Sequence, residues 1–203
     1  MYAASFLSPG EVRVTTPLPT FLGGPAPALD EVAAVLGAAM PVEVLADLAT
    51  AQWTKLIINQ VNALPAITGL SVQQTVADDG LRRVLTRSMR EAVAVARAGG
   101  VRFAAMSGLS DARLRLFSTV PLGVAERLPR LMARRMGAVP NPGSTLQSIR
   151  RGQRTEIDFL NGAIVDRAGD VAVPVNEEIV RMVHEVERTG RFLAPDEVVT
   201  RTR

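Results

Sequence analysis

Three polar residues, Lys55, Asn59 and Asn62, recur at i, i+4 and i+7 within the apolar stretch Trp53 to Leu64. At about 100° per helical residue they fall within a sector of about 60°. Leu56, Ile57, Ile58, Val61 and Leu64 occupy the rest of the circumference, so most of such a helix must be buried. Its polar stripe must then face water, a partner or a ligand. Lys55 is also the single lysine of the chain, and the other basic residues, 23 − 1 = 22, are all arginine. The two side chains differ in chemistry. An ammonium is a compact proton donor whose pKa moves on burial, whereas a guanidinium stays charged. A site that must deliver a proton therefore needs lysine. The alternative is a lysine that snorkels to solvent beside a wet stripe, and this stretch alone leaves both open.

A second group lies in Gly152-Gln153-Arg154-Thr155-Glu156-Ile157-Asp158-Phe159-Leu160-Asn161-Gly162. Glu156 falls in the first turn of an expected helix, where a carboxylate ordinarily caps the end or complements the dipole. It could instead meet Lys55 across a cleft and hold the ammonium oriented until a substrate takes its proton. Asp158 and Asn161 read as packing and surface hydrogen-bonding groups. Ser144, behind Pro140-Asn141-Pro142-Gly143, reads as an N-cap. A hydroxyl at a helix N-terminus also suits a carboxylate ligand. His184, the sole histidine, has charged neighbours and reads as surface. With one histidine, no cysteine and no clustered carboxylates, a metal site has no support.

Composition bounds the class. The 203 residues are 47% hydrophobic but only 4% aromatic, so a sizeable core of Ala, Val, Leu and Ile is expected. The absence of cysteine excludes disulfides and thiolate chemistry and fits a cytoplasmic chain. The longest apolar run, Val32 to Val42, is too short to span a bilayer. The pI of 10.4 suggests nucleic acid, yet the formal net charge is only +3. The arginine pairs are scattered without interleaved aromatics, so no nucleic-acid partner is expected.

These side chains need elements to hold them. Residues 11–16 alternate as a strand, Pro17 to Pro27 reads as loop, Asp30 could cap a short helix through Leu36, and 42–46 suit another short strand. Two or three strands with one helix do not make a domain; they read as the tail of an α/β unit. From residue 49 the pattern turns helical. A first helix is expected over 49–67 with Pro65 as kink or stop, and a second from Asp78-Asp79 to Gly99-Gly100. Shorter helices follow over 110–117, 123–136, 144–152 and 155–169. A last helix is capped by Asn176, fades after Arg188, and leaves 196–203 as a loose tail.

Trp53-x-Lys55-Leu56 with Asn59 and Asn62-Ala63-Leu64 resembles the start of the C-terminal helical domain of ketopantoate reductases (2-dehydropantoate 2-reductases). Ser144 with Leu146-Gln147-Ser148-Ile149, Arg151-Gly152 and Thr155-Glu156-Ile157-Asp158-x-x-Asn161-Gly162 is similar to that family's second signature. Val171-Ala172-Val173-Pro174-Val175-Asn176 resembles its closing helix entry, and Pro9-Gly10-Glu11-Val12 with Gly23-Gly24 the last strands of its nucleotide-binding domain. The resemblance implies a mainly α chain. Residues 49–203 would be a helical domain of the 6-phosphogluconate-dehydrogenase C-terminal-like type, and 1–48 the remnant of an NADP-binding Rossmann domain. It implies NADPH-dependent reduction of 2-dehydropantoate to pantoate, in pantothenate synthesis, or of a related 2-oxo acid. Lys55 would be the general acid, Glu156 would orient substrate and lysine, Asn59 would bind a substrate hydroxyl, and Ser144 the carboxylate.

Three departures accompany the resemblance. Many members place the second asparagine eight residues after the lysine, whereas Asn62 follows by seven on roughly the same face; it could substitute as a substrate-binding residue. The polar residue expected after this helix is replaced by Val72, with Ser71 beside it. The family's Gly-x-Gly-x-x-Gly turn, which takes the cofactor pyrophosphate, is absent, so the chain reads as the last two-thirds of a reductase that binds NADPH weakly or not at all. The competing expectation is a non-catalytic domain that serves dimerisation, as a homodimer, or small-acid binding.

Overall fold

The computed structural model describes residues 2–17, 19–24 and 28–203, which divide into two compact units, Met1–Gln52 and Trp53–Arg203. In the first unit, β1 (Tyr2–Ser8) and β2 (Glu11–Pro17) form an antiparallel hairpin in which Ser8 pairs with Glu11. Pro9-Gly10 makes the turn, and Gly10 at φ +84 supplies the positive φ that a type II turn requires at its third position. β3 (Thr20–Leu22) pairs in parallel with β4 (Val42–Val44), and α1 (Ala28–Gly37) is the crossover that parallel strands need. Part of the expected loop over 17–27 is thus a strand, tied by Thr20 N–H to Pro41 O at 2.8 Å and Leu45 N–H to Leu22 O at 2.8 Å. Leu18 and residues 25–27 of that loop lie outside the described residues. Asp30 falls in the first turn of α1 and does not cap it. α1 buries none of its residues, and Val32 and Val35 are 47% and 70% exposed.

The helical unit departs from expectation first around Lys55. The single helix over 49–67 is three elements: α2 (Leu48–Asn59), a 3-10 turn (Gln60–Asn62) and α3 (Ala63–Thr68). Pro65 is the cause. It has no N–H for the carbonyl of Val61, and its ring crowds that carbonyl, so the ladder tightens one turn ahead of the proline. The same rule splits the helix expected over 123–136. Pro129 cannot donate to Ala125, and α7 (Leu122–Ala125) is separated from α8 (Arg127–Arg135) at Glu126.

α4 (Val72–Ala77) opens on a capping box between Ser71 and Gln74, so Ser71 is occupied as a cap while Val72 is fully buried. α5 (Asp79–Ala98) is the axis of the unit, with Leu81, Val84, Leu85, Met89, Ala92, Val93 and Ala96 buried at the expected helical spacing. α6 (Asp111–Thr119), capped by Ser110, and α7 pack against it. α9 (Gly143–Arg150) packs on α3 and on the 3-10 turn before it.

The helix expected from Thr155 is also interrupted. Residues Ile157–Phe159 make a 3-10 turn, Leu160 at φ −103, ψ −94 breaks the path, and α10 (Asn161–Asp166) follows. α11 (Pro174–Thr189) starts two residues before Asn176, so Asn176 is not its cap. Glu91 of α5 takes that role, accepting the Val175 and Asn176 N–H groups at 3.0 and 2.9 Å. Burial raises the Glu91 pKa, and those hydrogen bonds oppose the rise. Asn161 is fully buried rather than at the surface; its Nδ2 donates to Gln60 Oε1 at 2.7 Å and to Asn176 Oδ1 at 2.9 Å. Ser88 Oγ joins the same group, 2.7 Å from Gln60 Oε1. This polar knot ties the 3-10 turn after α2 to α5, α10 and α11.

Residues 196–203 are not a loose tail. α12 (Pro195–Arg201) packs on α5, with Val198 fully buried and Thr202 5% exposed. Gly80 is required there, because a β-carbon would sit 2.6 Å from Val199 Cγ2. Arg201 reaches Glu178 and Glu185 at 2.7 Å each, and Arg87 donates to Thr202 O at 2.6 Å. Among the described residues no helix is long and apolar enough to cross a membrane.

Candidate active site

α2 carries Lys55 and Asn59, and the 3-10 turn carries Asn62. The turn changes the angular bookkeeping. From Lys55 to Asn59 the path turns by about 400°, that is about 40° of offset. From Asn59 to Asn62 three residues at about 120° each complete one further turn. Asn62 therefore stays over Asn59, and the tightening before Pro65 preserves the stripe. Lys55 is exposed while Asn59 and Asn62 are half-buried, beneath a flank in which Thr54, Ile57, Gln60 and Val61 are buried.

The stripe contrasts with its polar neighbours. Thr54 Oγ1 donates to Ala104 O at 3.0 Å, and Gln60 is engaged through Leu56 O at 3.2 Å, Ser88 and Asn161. Lys55, Asn59 and Asn62, by contrast, make no ion pair or side-chain hydrogen bond among the described residues. The fold thus ties up Thr54 and Gln60, the buried polar groups beside the stripe, and leaves the stripe's own groups available to a ligand.

Ser144 is brought to this stripe by the loop before α9. Val72 N–H donates to Asn141 O at 2.8 Å, Asn141 N–H to Gln73 Oε1 at 2.9 Å, and Gly143 N–H to Asn141 Oδ1 at 2.9 Å. Gln73 Nε2 also holds Gly137 O and Val139 O at 3.1 and 2.9 Å. Gly143 then lies against the stripe: with φ +72, a β-carbon on it would come 2.8 Å from Asn62 Oδ1. Glycine alone allows α9 to begin so close to the turn. The expectation that Ser144 caps this helix is corrected, since α9 starts at Gly143 and has no side-chain cap. Ser144 sits exposed in the first turn, its hydroxyl free among the described residues.

Glu156 is placed by different elements. It precedes the 3-10 turn Ile157–Phe159, which packs on α10 and α11, and its side chain makes no capping bond. The capping reading therefore fails, because the interruption at Leu160 leaves no long helix for Glu156 to serve. No ion pair joins Glu156 to Lys55 among the described residues. Its neighbours are held firmly: Thr155 N–H donates to Glu187 Oε1 at 2.7 Å, and Asp158 Oδ1 lies 2.8 Å from His184 Nε2.

A cofactor pyrophosphate needs a helix N-terminus with free N–H groups and glycines that admit the phosphates. The β3–α1 connection does not fit it. A β-carbon on Gly23 would meet Leu48 Cβ at 2.6 Å, so that glycine serves packing. Pro25 and Pro27 have no N–H to offer. Asp30 and Glu31 place negative charge in the first turn of α1. No group of three or more potential metal ligands occurs among the described residues.

Comparison with known proteins agrees with the mainly helical fold. Residues 47–187 match the family model for the ketopantoate reductase PanE/ApbA C-terminal domain. The 2-dehydropantoate 2-reductase of Halobacterium salinarum is 31% identical, over 93% of this chain and 58% of its own. A PanE/ApbA family ketopantoate reductase from Ralstonia eutropha superposes with a TM-score of 0.72 at 31% identity, covering 93% of this chain and 57% of its own. The complex of D-mandelate dehydrogenase with NADH shares the fold, with a TM-score of 0.71 at 18% identity. The chain belongs to the ketopantoate reductase family and has the mainly helical fold of that family's C-terminal domain. It spans 58% and 57% of the length of the two relatives it matches at 31% identity.

Proposed function

We propose that this chain binds a small 2-oxo acid, with 2-dehydropantoate the leading substrate, and supplies the proton for its reduction to the 2-hydroxy acid. The supporting observation is that, among the described residues, Lys55, Asn59, Asn62, Ser144 and Glu156 all keep unengaged polar ends, while the neighbouring buried Thr54 and Gln60 are hydrogen-bonded. In this reading Ser144 and the first turn of α9 take the carboxylate, Asn59 and Asn62 hold a substrate hydroxyl, and Lys55 Nζ donates its proton to the keto oxygen. Glu156 orients the substrate and the ammonium. The domain assignment is part of the same proposal, residues 1–48 being the end of a Rossmann domain and 49–203 the substrate domain of a cytoplasmic enzyme. The nicotinamide cofactor expected from the sequence is NADPH, and D-mandelate dehydrogenase is a fold relative described with NADH. Because the β3–α1 connection does not fit a pyrophosphate, the hydride donor is not assigned to residues of this chain.

Calorimetric titration with 2-dehydropantoate tests the reading. The wild-type chain is expected to bind, and Asn59→Ala to bind about tenfold more weakly, the size expected for one hydrogen bond to a buried ligand hydroxyl. No heat of binding, or an unaltered affinity in the variant, would remove the assignment.

A second reading, a homodimerising module, has its own observation. Leu116, Val124 and Leu131 are 62%, 43% and 44% exposed and line one surface groove with Phe117 and Leu128. A related ketopantoate reductase from Staphylococcus aureus is described as dimeric, with a TM-score of 0.68 at 14% identity. Three arginines, Arg113, Arg127 and Arg135, rim the groove and oppose a symmetric pairing on it. Under the dimer reading Leu116→Asp with Leu131→Asp yields monomers in sedimentation; under the substrate-binding reading the variant keeps its affinity for 2-dehydropantoate.

A further inference from the structure

We propose that His184 is a positioning residue for Glu156, clamping the turn that carries Glu156 onto α11 through Asp158 on one side and Glu187 on the other. The inference rests on the substrate-binding reading of Glu156 given above. Three contacts carry it. His184 Nε2 lies 2.8 Å from Asp158 Oδ1, and His184 Nδ1 lies 2.8 Å from Glu187 Oε2. The other oxygen of Glu187 accepts Thr155 N–H at 2.7 Å. Glu156 thus sits between two residues, Thr155 and Asp158, that are both fastened to one edge of α11. His184 lies at the surface, as expected, and this arrangement also makes it a bridge between two carboxylates.

Both partners of the ring are carboxylates, which accept and cannot donate when ionised. Both ring nitrogens must then carry hydrogen, so only the imidazolium closes the clamp. A neutral imidazole keeps one N–H and turns a lone pair toward the other carboxylate. The charged groups facing the ring are Asp158 from the 3-10 turn and Glu187 from its own helix, while Arg154 and Arg188 line the same groove. α3, α5 and α10 also pack on α11, and none of their charged groups comes within ion-pair distance of the ring among the described residues. The hydrogen bond to Glu187, set against burial and aided by Asp158, raises the His184 pKa above the ordinary imidazole value. Burial pushes the Glu187 carboxyl up, but the bonds from Thr155 and His184 outweigh it and hold it below its ordinary value.

The sign of the pH effect follows. A histidine whose folded pKa is raised contributes stability that is full below the unfolded value and is lost as pH rises through the folded one. The clamp should therefore loosen as pH rises through the His184 value, which lies above that of an ordinary imidazole. Because the His184 and Asp158 side chains are 45% and 63% exposed, the effect is moderated by solvent.

Since His184 is the only histidine, an NMR titration of the intact chain reads its protonation without ambiguity. In the same samples the protection factor of the Thr155 amide is followed by hydrogen exchange, and 2-dehydropantoate affinity by calorimetry. Thr155 protection and affinity are both expected to fall about threefold to tenfold as His184 loses its proton. His184→Gln should show the loosened values at every pH, and His184→Lys should restore affinity and remove its pH dependence. Thr155 protection that ignores the His184 titration, or wild-type protection in His184→Gln, would overturn the clamp. If wild type binds no 2-dehydropantoate at any pH while Thr155 protection follows His184, the clamp stands and the substrate reading of Glu156 fails.

Discussion

Replacing Lys55 by alanine is expected to lower 2-dehydropantoate-dependent oxidation of NADPH by about 10²–10⁴-fold, the contribution typical of a positioned general acid. The assay needs a high NADPH concentration, since the β3–α1 connection does not fit the cofactor's pyrophosphate. Affinity for 2-dehydropantoate, measured by calorimetry, should fall far less, because Asn59, Asn62 and Ser144 retain their contacts in the proposed site. Lys55→Arg separates charge from proton transfer. A guanidinium keeps the positive charge but does not surrender a proton near neutral pH, so binding should persist while turnover stays low. If Lys55 merely snorkels to solvent, neither variant changes the rate. Wild-type turnover that survives in Lys55→Ala would withdraw the proton-donor role.

Glu126→Ala is expected to destabilise the helical unit by about 3–5 kcal/mol, read as a lower urea midpoint with the slope unchanged. Arg82 and Glu126 are 3% and 4% exposed, and Arg82 Nε donates to Glu126 Oε2 at 2.9 Å. The guanidinium also donates to Val76 O at 2.9 Å and bonds to Asp79. Burial works against the Arg82 charge, and the bonds to Asp79 and Glu126 outweigh it, holding its pKa above the ordinary value. Removing Glu126 leaves that charge, in a nearly dry place between α5 and the α7–α8 joint, with only Asp79 and the Val76 carbonyl to offset its desolvation. The paired change Arg82→Met with Glu126→Leu removes both charges at similar volume and should cost less than Glu126→Ala alone. A double variant as unstable as the single one would show that the loss is one of packing.

The two effects differ in kind, and the fold explains why. Arg82 and Glu126 are polar groups the structure has consumed: each is buried and partnered. Lys55, Asn59, Asn62, Ser144 and Glu156 are polar groups that the structure positions without consuming. Stability experiments should therefore report on the first set and ligand experiments on the second. Gly143 links the two, because its missing side chain lets a structural helix start against Asn62 and so places Ser144 beside the stripe.

Much of the helical unit was legible from residue types and local periodicity. The buried positions of α5 were readable because they recur on one face of a helix long enough for the pattern to dominate. The stripe of Lys55, Asn59 and Asn62 was readable because these three residues share one face of a largely apolar run, and the lone lysine drew attention by composition alone. The start of α6 near residue 110 was readable because the bond from Arg113 N–H to the Ser110 hydroxyl that caps it is local.

The misses share a physical reason: each was decided by a partner distant in sequence. β3 exists because Val42–Val44 offers a parallel edge about 20 residues away, and three residues between prolines carry no signal of that. Asn176 was assigned as a cap from its local position, but Glu91, 85 residues away, caps the helix and draws Asn176 into the core. Asn161 reads as a surface amide until Gln60 and Asn176 converge on it. The last eight residues read as a tail because their charges look solvated, whereas Glu178, Glu185 and Arg87 hold them down. The breaks ahead of Pro65 and Pro129 were partly foreseeable from the missing N–H, though not whether the ladder would kink, stop or tighten.

By itself, then, the sequence determined the family, the mainly helical class and the core face of α5, and it singled out the polar residues proposed to bind and protonate a 2-oxo acid. Those properties reside in residue type and short-range spacing. Tertiary structure alone decided which of those polar groups stay unengaged, that Glu156 is not a helix cap, and that His184 bridges Asp158 and Glu187. The reason is that a polar side chain's role depends on whether folding brings it a partner, and most of those partners arrive from other elements of the chain.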